Sequence, residues 1–387
     1  MDIERTDRQE LHLLTETTRG TPMGTLLRRF WQPIAVADDL AAGAARGVRV
    51  MGEDLTLYRG ASGTPHLVGG RCAHRCTLLH TGWVEGEHIR CMYHGWRYDG
   101  AGQCVEQPAE KRGRPDLVRI VSYPVHDYAG LIFAYLGEGP APEFELPRKD
   151  VLESAERRLF VQEQVWDCNW FQQVENSLDA THVSFVHVWG KVSRFGEEIT
   201  TAIPDLAYEE TSAGIRQIAT RSKTNVRISD WTFPNNNHVV APGPQRGDPW
   251  LDTCVWAVPI DDGRTLRFTV NAVPRADDET DRRNAEDRGE RFNPADHYDA
   301  LFNRHTLPEM GAAQLIAAQD YVAVRGQGVI FDRSQEWLGQ TDAGIVLLRR
   351  LFLRELAAIR GGGAAKRWSK LAESAHMPIQ IPESAAE

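Results

Sequence analysis

The sequence has no hydrophobic run long enough to cross a membrane. Hydrophobic types make up 42% of its 387 residues, yet no stretch approaches the ~20 consecutive apolar residues of a bilayer-spanning helix. The first residues, MDIERTDRQELHLL, are charged throughout and lack the apolar centre of a secretion signal. We therefore expect a cytoplasmic protein.

An excess of positive charge is also absent. The chain has 44 Lys and Arg against 54 Asp and Glu, which gives a formal net charge of -10 at pH 7. Proteins that bind nucleic acids or anionic membrane surfaces normally carry a basic footprint, so neither partner is expected. A chain of 387 residues is long for one hydrophobic core, which favours two domains.

Cysteine is sparse, and the six thiols lack the paired spacing of a disulfide framework. Cys72 and Cys91 each lie in a short loop that also contains a histidine, CAH in the first and CMYH in the second. The other four are scattered through the chain, as is typical of a reducing compartment: Cys76, Cys104, Cys168 and Cys254.

The two loops together offer two thiolates and two imidazoles, from Cys72, His74, Cys91 and His94. Zinc is the usual ion in four-ligand Cys and His sites, but structural zinc sites tend to take their ligands in Cys-x2-4-Cys pairs. A Rieske two-iron two-sulfur cluster takes two Cys on one iron and two His on the other, which two facing mixed loops can supply. The spacing therefore favours a Rieske cluster and an electron-transfer role.

The strand and turn pattern predicts an α+β protein in three parts. Residues 1–31 resemble an arm or lead-in helix. Residues 32–148 alternate short β-rich runs with Gly and Asp turns, which predicts a small all-β sandwich with the cluster loops at hairpin tips. Residues 149–387 contain longer strands and helix-length segments at 169–187 and 296–323, which predicts an antiparallel sheet covered by helices.

A second group of polar residues lies in the segment NWFQQVENSLDATHVSFVH. On a helix, Asn176, Asp179 and His182 would share one face, whereas His187 lies about 140° further round and could join them only if the helix bulged or ended. Two histidines and a carboxylate with open positions bind non-haem Fe(II). A lone histidine of this kind is more often structural, but a one-electron relay upstream needs a destination for its electrons.

Both motifs, in this order, resemble the oxygenase component of Rieske non-haem iron aromatic-ring oxygenases. The similarity covers most of the chain and extends to GTPMGTLLRRFWQP, to RYDGAGQC after the second loop, and to the closing DRSQEWLGQTDAGIVLLRRLFLREL. These stretches are most similar to the phthalate dioxygenase-like branch, whose oxygenases contain α subunits only.

The resemblance implies a role for each matched residue. Cys72 and Cys91 would hold one iron of the cluster, and His74 and His94 the other. At the mononuclear iron, the resemblance places His182, His187 and a distant carboxylate, for which Asp320 matches best. Asp332 and Asp342 are second choices for this carboxylate, and each more simply caps a turn or forms an ion pair.

The resemblance also implies an assembly. Asp179 would accept a hydrogen bond from a cluster histidine of the neighbouring subunit in a head-to-tail trimer or in stacked trimers. Asn176 would orient a water or His182. A separate NADH-dependent reductase with flavin and ferredoxin domains would supply electrons.

The expected reaction is hydroxylation or dihydroxylation, with O2, of an aromatic substrate that carries a carboxylate. An O- or N-demethylating Rieske monooxygenase is the alternative. From another class, a Rieske ferredoxin-type electron carrier would lack the second iron.

Few residues can be assigned to a substrate pocket from sequence. Phe185, Trp189, Trp231 and Phe233 could wall an aromatic ligand, although such residues are more often core. The cations best placed in sequence to meet a substrate carboxylate are Lys191, Arg194 and Arg227, although each is more simply a solvated surface charge. The run 235–238 could form a turn or a polar pocket edge. Cys76, where the related pattern has Gly, is expected to be packed and unreactive.

Overall fold

The structure is a computed structural model, and it describes residues 10–187, 200, 202–241, 250–289, 291–303, 311–362 and 366–371. The chain divides into two compact units. One comprises Thr17–Glu143, and the other combines the N-terminal segment up to Glu16 with Phe144–Glu387. Residues 17–31, predicted as part of a separate arm, therefore belong to the same unit as the strands that follow them.

The N-terminal unit is built from three small antiparallel sheets. Their strand orders are β1-β11-β10, β2-β3-β4-β9 and β5-β6-β7-β8. A short helix, α1, precedes them at Pro22–Leu27, and Thr21 caps it by accepting a hydrogen bond from the Gly24 N–H. The strands are β1 Trp31–Val36, β2 Ala45–Val50, β3 Glu53–Arg59, β4 Pro65–Gly69, β5 Trp83–Glu85, β6 His88–Arg90, β7 Arg97–Tyr98, β8 Cys104–Glu106, β9 Ser122–Tyr123, β10 Val125–Tyr128 and β11 Leu131–Tyr135.

The C-terminal unit contains one seven-stranded antiparallel sheet in the order β12-β18-β17-β16-β15-β14-β13. Strands β14 to β18 are neighbours in sequence and in space, so hairpins build most of the sheet. The strands are β12 Arg157–Trp166, β13 Asp205–Glu210, β14 Gly214–Ser222, β15 Asn225–Thr232, β16 Asn236–Ala241, β17 Leu251–Asp261 and β18 Arg264–Pro274.

Helices cover this sheet. Their bounds are α2 Asp150–Glu153, α3 Trp170–Asn176, α4 Val183–Val186, α5 Asp278–Gly289, α6 Tyr298–Asn303, α7 Ala312–Gly326 and α8 Ala343–Arg360. Helix α3 contacts β17, α5 contacts β12 and α8 contacts β13. The predicted α+β fold, with an all-β N-terminal domain and a helix-covered antiparallel sheet, is confirmed. Among the described residues, no helix is long and apolar enough to span a bilayer.

Aromatic side chains join α3 and α8 to the sheet. Phe352 on α8 lies 5.7 Å from Trp170 and 4.9 Å from Phe233 between ring centroids. Trp231 and Phe233 are both buried, and Phe233 stacks on Trp368 at 4.6 Å. Trp231 and Phe233 are therefore core residues, and neither lines the cavity described below.

Candidate metal centres and their cavity

The two loops that carry the first Cys and His group have the same backbone hydrogen bonds. In the loop between β4 and β5, the Cys72 N–H donates to the Thr77 carbonyl and the Cys76 N–H donates to the Cys72 carbonyl. In the loop between β6 and β7, Cys91 and Gly95 make the equivalent bonds at the same spacing. The two loops are thus matched halves of one site.

Cys76 occupies the position in the first loop that Gly95 occupies in the second. Both residues have positive φ, 58° for Cys76 and 74° for Gly95, a conformation that glycine adopts more easily than other residues. The Cys76 thiol is exposed. The expectation that it would be packed is therefore wrong, because the turn directs the side chain away from the loop interior.

The side chains of the two loops can hold the predicted cluster. Cys72 and Cys91 are buried, and the rings of His74 and His94 lie 4.6 Å apart between centroids. The Nδ1 of His74 is buried without a hydrogen-bond partner among the described residues, as expected of an atom reserved for a metal. Two thiolates and two imidazoles arranged in this way fit a Rieske cluster.

Neighbouring aromatic residues hold this group in place. The Tyr98 hydroxyl accepts the Ala73 N–H at 3.1 Å and lies 3.3 Å from the Cys72 sulfur. Because its oxygen is already accepting, its own O–H is available to donate to the sulfur. The Trp96 ring stacks on His74 at 4.7 Å with an interplanar angle of 5°, which restricts the imidazole orientation.

We predict that Tyr98→Phe lowers the reduction potential of the cluster. A hydrogen bond to a ligand sulfur favours the reduced, more negative state. One bond of about 0.5–1.5 kcal/mol corresponds to about 20–65 mV for a one-electron couple. Redox titration followed by electron paramagnetic resonance measures the shift. Tyr123→Phe, which removes a hydroxyl bonded to Glu53 in the same unit, should leave the potential unchanged, and equal potentials in all three proteins would contradict the prediction.

The second group of candidate ligands lies where the chain leaves a helix. Helix α3 ends at Asn176, and α4 covers only Val183–Val186, with His182 and His187 at its two ends. The Asp179 carboxylate accepts the N–H groups of Thr181 and His182 at 2.9 and 3.2 Å. This turn interrupts the helix, so the expectation that Asn176, Asp179 and His182 share one helical face is wrong.

The interruption brings His182 and His187 together with Asp320 of α7. The Oδ1 atom of Asp320 lies 3.5 Å from the Nε2 atoms of both histidines, and one ligand atom from each residue lies within 4.8 Å of the others. Oδ1 is buried without a hydrogen-bond partner among the described residues. Two imidazoles and one carboxylate on one side of an ion fit non-haem Fe(II) with open positions.

Gln319 orients His187 within this group. Its Oε1 atom lies 3.0 Å from the His187 Nδ1. An amide oxygen can only accept, so Nδ1 carries the proton and Nε2 is the lone-pair nitrogen that faces Asp320. Apart from its place next to Asp320, Gln319 has no sequence signal that would have predicted this role.

Asp332 and Asp342 lie elsewhere and serve as caps. The Asp332 carboxylate accepts hydrogen bonds from Ser334 and Gln335, and Asp342 accepts the Gly339 N–H at 2.7 Å. Both are exposed or half-buried, and neither belongs to the group formed by His182, His187 and Asp320.

The electrostatics of the site reflect burial and close carboxylates. Burial would raise the pKa of Asp179, but His182 and backbone N–H groups outweigh it and lower that pKa. Burial would lower the pKa of His182, but Asp179 and Asp320 raise it above its ordinary value. Burial lowers the pKa of His187. His182 Nδ1 is 3.6 Å from Asp179, too far for a hydrogen bond, so their interaction is electrostatic.

These residues line one cavity in the C-terminal unit. Asn176, Asp179 and the three candidate iron ligands lie in its wall. Apolar side chains and uncharged amides form much of the remainder, together with two arginines, Arg227 and Arg267. The amides and representative apolar residues are Gln162, Gln173, Gln217, Asn235, Asn237, Asn271, Val183, Val239, Val255, Ile316 and Ala317.

The cavity separates the predicted pocket residues into three groups. Arg227 and residues 235 and 237 lie in its wall, and Arg227 is buried, so its expected role as a solvated surface charge is wrong. Phe185 is exposed and does not line the cavity. Trp189, Lys191 and Arg194 lie outside the described residues.

Comparisons with known proteins agree with this geometry. The family model for the Rieske [2Fe-2S] domain matches residues 30–126. The 5,5'-dehydrodivanillate O-demethylase oxygenase subunit of Sphingobium sp. (strain NBRC 103272 / SYK-6) is 36% identical over an alignment that covers 89% of this chain and 78% of that protein. The chain belongs to the Rieske non-haem iron oxygenases.

This Rieske oxygenase is also similar to two further proteins. The phenoxybenzoate dioxygenase subunit alpha of Ectopseudomonas oleovorans is 32% identical over 90% of this chain and 85% of its own length. A solved structure of Pseudomonas putida CBB5 NdmA, a QL mutant with caffeine, matches with a TM-score of 0.67 and 20% identity over 91% of this chain and 98% of that one. At 20% identity, this match is evidence for a shared fold alone.

Family membership confirms the predicted enzyme class. The protein is a terminal oxygenase component of a Rieske system, and its cofactors are a Rieske two-iron two-sulfur cluster and a mononuclear non-haem iron. It therefore acts with a separate electron-donating component, and the alternative of a ferredoxin-type electron carrier is wrong.

Proposed function

We propose that this oxygenase uses O2 to hydroxylate or dihydroxylate an aromatic substrate that carries a carboxylate. The observation that carries the proposal is the position of His182, His187 and Asp320 in the wall of a cavity that is part apolar and part amide-lined. Such a cavity suits an aromatic ring with a polar substituent. An iron held by these three residues would keep coordination positions open for oxygen.

We assign the ligands as follows. Cys72, His74, Cys91 and His94 hold the cluster, and the triad holds the mononuclear iron. When bound, these centres supply single electrons and activate oxygen. The protein residues prepare the site for them, because Gln319 fixes the tautomer of His187 and the Asp179 turn fixes the backbone at His182. Asn176, at the end of α3 in the cavity wall, is placed to orient a water or His182.

Demethylation is the second candidate reaction. The similar Sphingobium protein is named an O-demethylase and the Ectopseudomonas protein a dioxygenase. The same two histidines and carboxylate serve both reactions, so the position of the substrate carbon nearest the iron decides between them.

A single-turnover experiment tests the proposed reaction. The holoprotein is reduced with dithionite, mixed with 4-methoxybenzoate or 3-hydroxybenzoate, and exposed to labelled O2. We expect labelled oxygen on the aromatic ring, detected by mass spectrometry. Formaldehyde from 4-methoxybenzoate without ring oxygenation would establish demethylation instead, and the absence of product from every aromatic acid in a wider set, with iron and sulfide intact, would refute the aromatic assignment.

We further propose that Asp179 links subunits in a head-to-tail trimer that receives electrons from an NADH-dependent reductase. Asp179 is half-buried and keeps a lowered pKa, so its charged carboxylate can accept the N–H of His74 or His94 of a neighbouring subunit. One oxygen already accepts two backbone N–H groups, while the other faces His182 Nδ1 at 3.6 Å, beyond hydrogen-bond distance.

Asp179→Asn should lower turnover by about 10- to 100-fold, as is typical for loss of an outer-shell partner of a metal ligand. The variant should keep its iron, its sulfide and its trimeric mass in sedimentation analysis. Asn176→Ala, which removes a cavity-wall amide from the same segment, should lower turnover less. Full turnover in Asp179→Asn, or a monomeric wild-type protein, would rule out the proposed linkage.

A further inference from the structure

Two arginines lie on neighbouring strands, and one of them, Arg227, lines the cavity. Arg227 of β15 pairs with Ala219 of β14, and Arg221 lies two residues after Ala219, where the register of the two strands shifts. Diagonal neighbours on one face of a sheet are within reach of long side chains. The two charges also interact, since burial and then the charge of Arg221 lower the pKa of Arg227 to about 10.

Neither guanidinium has a compensating carboxylate among the described residues. Arg227 is 8% exposed, and its Nε is buried without a hydrogen-bond partner. Arg221 donates from Nε to the Ala202 carbonyl at 3.1 Å, but its two Nη atoms are also buried without partners. Buried charges are normally paired, because desolvation of an isolated ion is costly.

Two other arginines of the same unit do have side-chain partners, and one of those partners is a carboxylate. Arg267, the second arginine of the cavity wall, lies over the Trp166 ring at 5.1 Å and donates to Thr269 at 3.2 Å. Arg216, also on β14, makes two hydrogen bonds to Asp230 at 2.8 and 3.1 Å. Among the described residues, Arg227 of the cavity wall has neither a carboxylate nor a hydrogen-bonded partner of this kind.

We propose that Arg227, supported by Arg221, binds the carboxylate of the substrate. This inference rests on the proposed function and deepens it, because it assigns a residue to the acidic group. A carboxylate is the group that a guanidinium binds best in two-point geometry. Arg221, two residues beyond the residue paired with Arg227, adds a second positive charge nearby, and Asn237 lies in the same cavity wall.

The position of Arg227 relative to the iron ligands fits this role. Arg227 lies in the wall of the same cavity as His182, His187 and Asp320. Apolar side chains, including Val183, Ile316 and Ala317, line the cavity as well. A carboxylate fixed at Arg227 would hold the attached ring by its charged end and so select which carbon meets the iron.

The test compares an acid with its uncharged amide. Dissociation constants of 4-methoxybenzoate and 4-methoxybenzamide are measured by calorimetry on the anaerobic holoprotein. We expect the wild-type protein to prefer the acid, and Arg227→Gln to weaken acid binding by about 10- to 100-fold while amide binding stays within about 3-fold. Arg227→Lys should retain part of the preference, and Arg221→Gln should lose less than Arg227→Gln.

Matched controls separate binding from folding. Arg282→Gln removes an exposed arginine of α5 and should change neither affinity. Arg227→Met should unfold at an equal or higher urea concentration than wild type, since a buried unpaired charge opposes folding. Equal affinity of wild type for acid and amide, or a parallel loss of both ligands in Arg227→Gln, would overturn the proposal.

The binding test does not depend on turnover. An acid preference that requires Arg227, found together with no oxygenated product, would refute the proposed reaction and leave the carboxylate site intact. Oxygenation of amides and acids alike, with no effect of Arg227→Gln on binding, would refute the carboxylate site and leave the oxygenase reaction intact.

Discussion

Asp320→Ala should remove the mononuclear iron and lower turnover by more than about 100-fold, since even the loss of an outer-shell partner costs 10- to 100-fold. The physical reason is that Asp320 provides the only described carboxylate within ligand distance of both His182 and His187. Without its charge, two neutral imidazoles hold a divalent ion poorly. The measurements are iron content and product formation in a single turnover.

Asp332→Ala and Asp342→Ala are the matched controls for this change. Each removes a carboxylate from the same C-terminal part of the chain, and each residue was a possible iron ligand from sequence. Because they cap turns, we expect both variants to keep their iron and their turnover. Iron loss in either control, with iron retained in Asp320→Ala, would show that the ligand is assigned to the wrong residue.

Glu175→Gln should lower the free energy of unfolding by about 3–5 kcal/mol, the usual cost of removing one partner from a buried ion pair. Glu175 is buried on α3 and bonds Arg333 at 3.0 and 2.6 Å and Arg349 at 2.7 Å. Arg349 also pairs with Glu336. The substitution leaves two buried guanidiniums short of one negative charge, and urea unfolding measures the loss.

The pH dependence of stability gives a second readout for Glu175. Burial would raise its pKa, but Arg333 and Arg349 lower it below the ordinary value of 4.5. Its stabilisation is therefore fully present above the unfolded-state pKa and is lost as the pH falls through the folded-state pKa. Glu175→Gln should flatten this acid-side loss. The control Glu286→Ala breaks an exposed ion pair with Arg282 and should lower the free energy of unfolding by at most about 0.5 kcal/mol. A similarly small loss for Glu175→Gln would contradict the stabilising role of the buried ion pairs.

The candidate ligands of the cluster could be proposed from sequence because their residue types are rare in combination and their spacing is local. Cys72, His74, Cys91 and His94 follow from two short loops, and the structure brings those loops together. Asp320 is different, because it lies 133 positions after His187 and only the family resemblance singled it out. A contact of that sequence separation depends on how α7 lies against the segment 177–187, which no local pattern encodes.

The failures of prediction have local physical causes. The helix expected through Asp179 is interrupted because the Asp179 side chain competes for the N–H groups of Thr181 and His182. Arg227 was expected at the surface because its residue type is usually solvated. Its burial follows from the face of β15 that it occupies, which only the sheet register determines.

Metal and acid-labile sulfide analysis of wild type and His182→Ala, prepared anaerobically, tests the central claim most directly. If the chain holds both a Rieske cluster and a mononuclear iron, wild type should contain about three irons and two sulfides per chain. The variant should lose about one iron and keep its sulfide. About two irons per chain in both proteins would show that the mononuclear iron site is absent. Zinc without sulfide would contradict both centres.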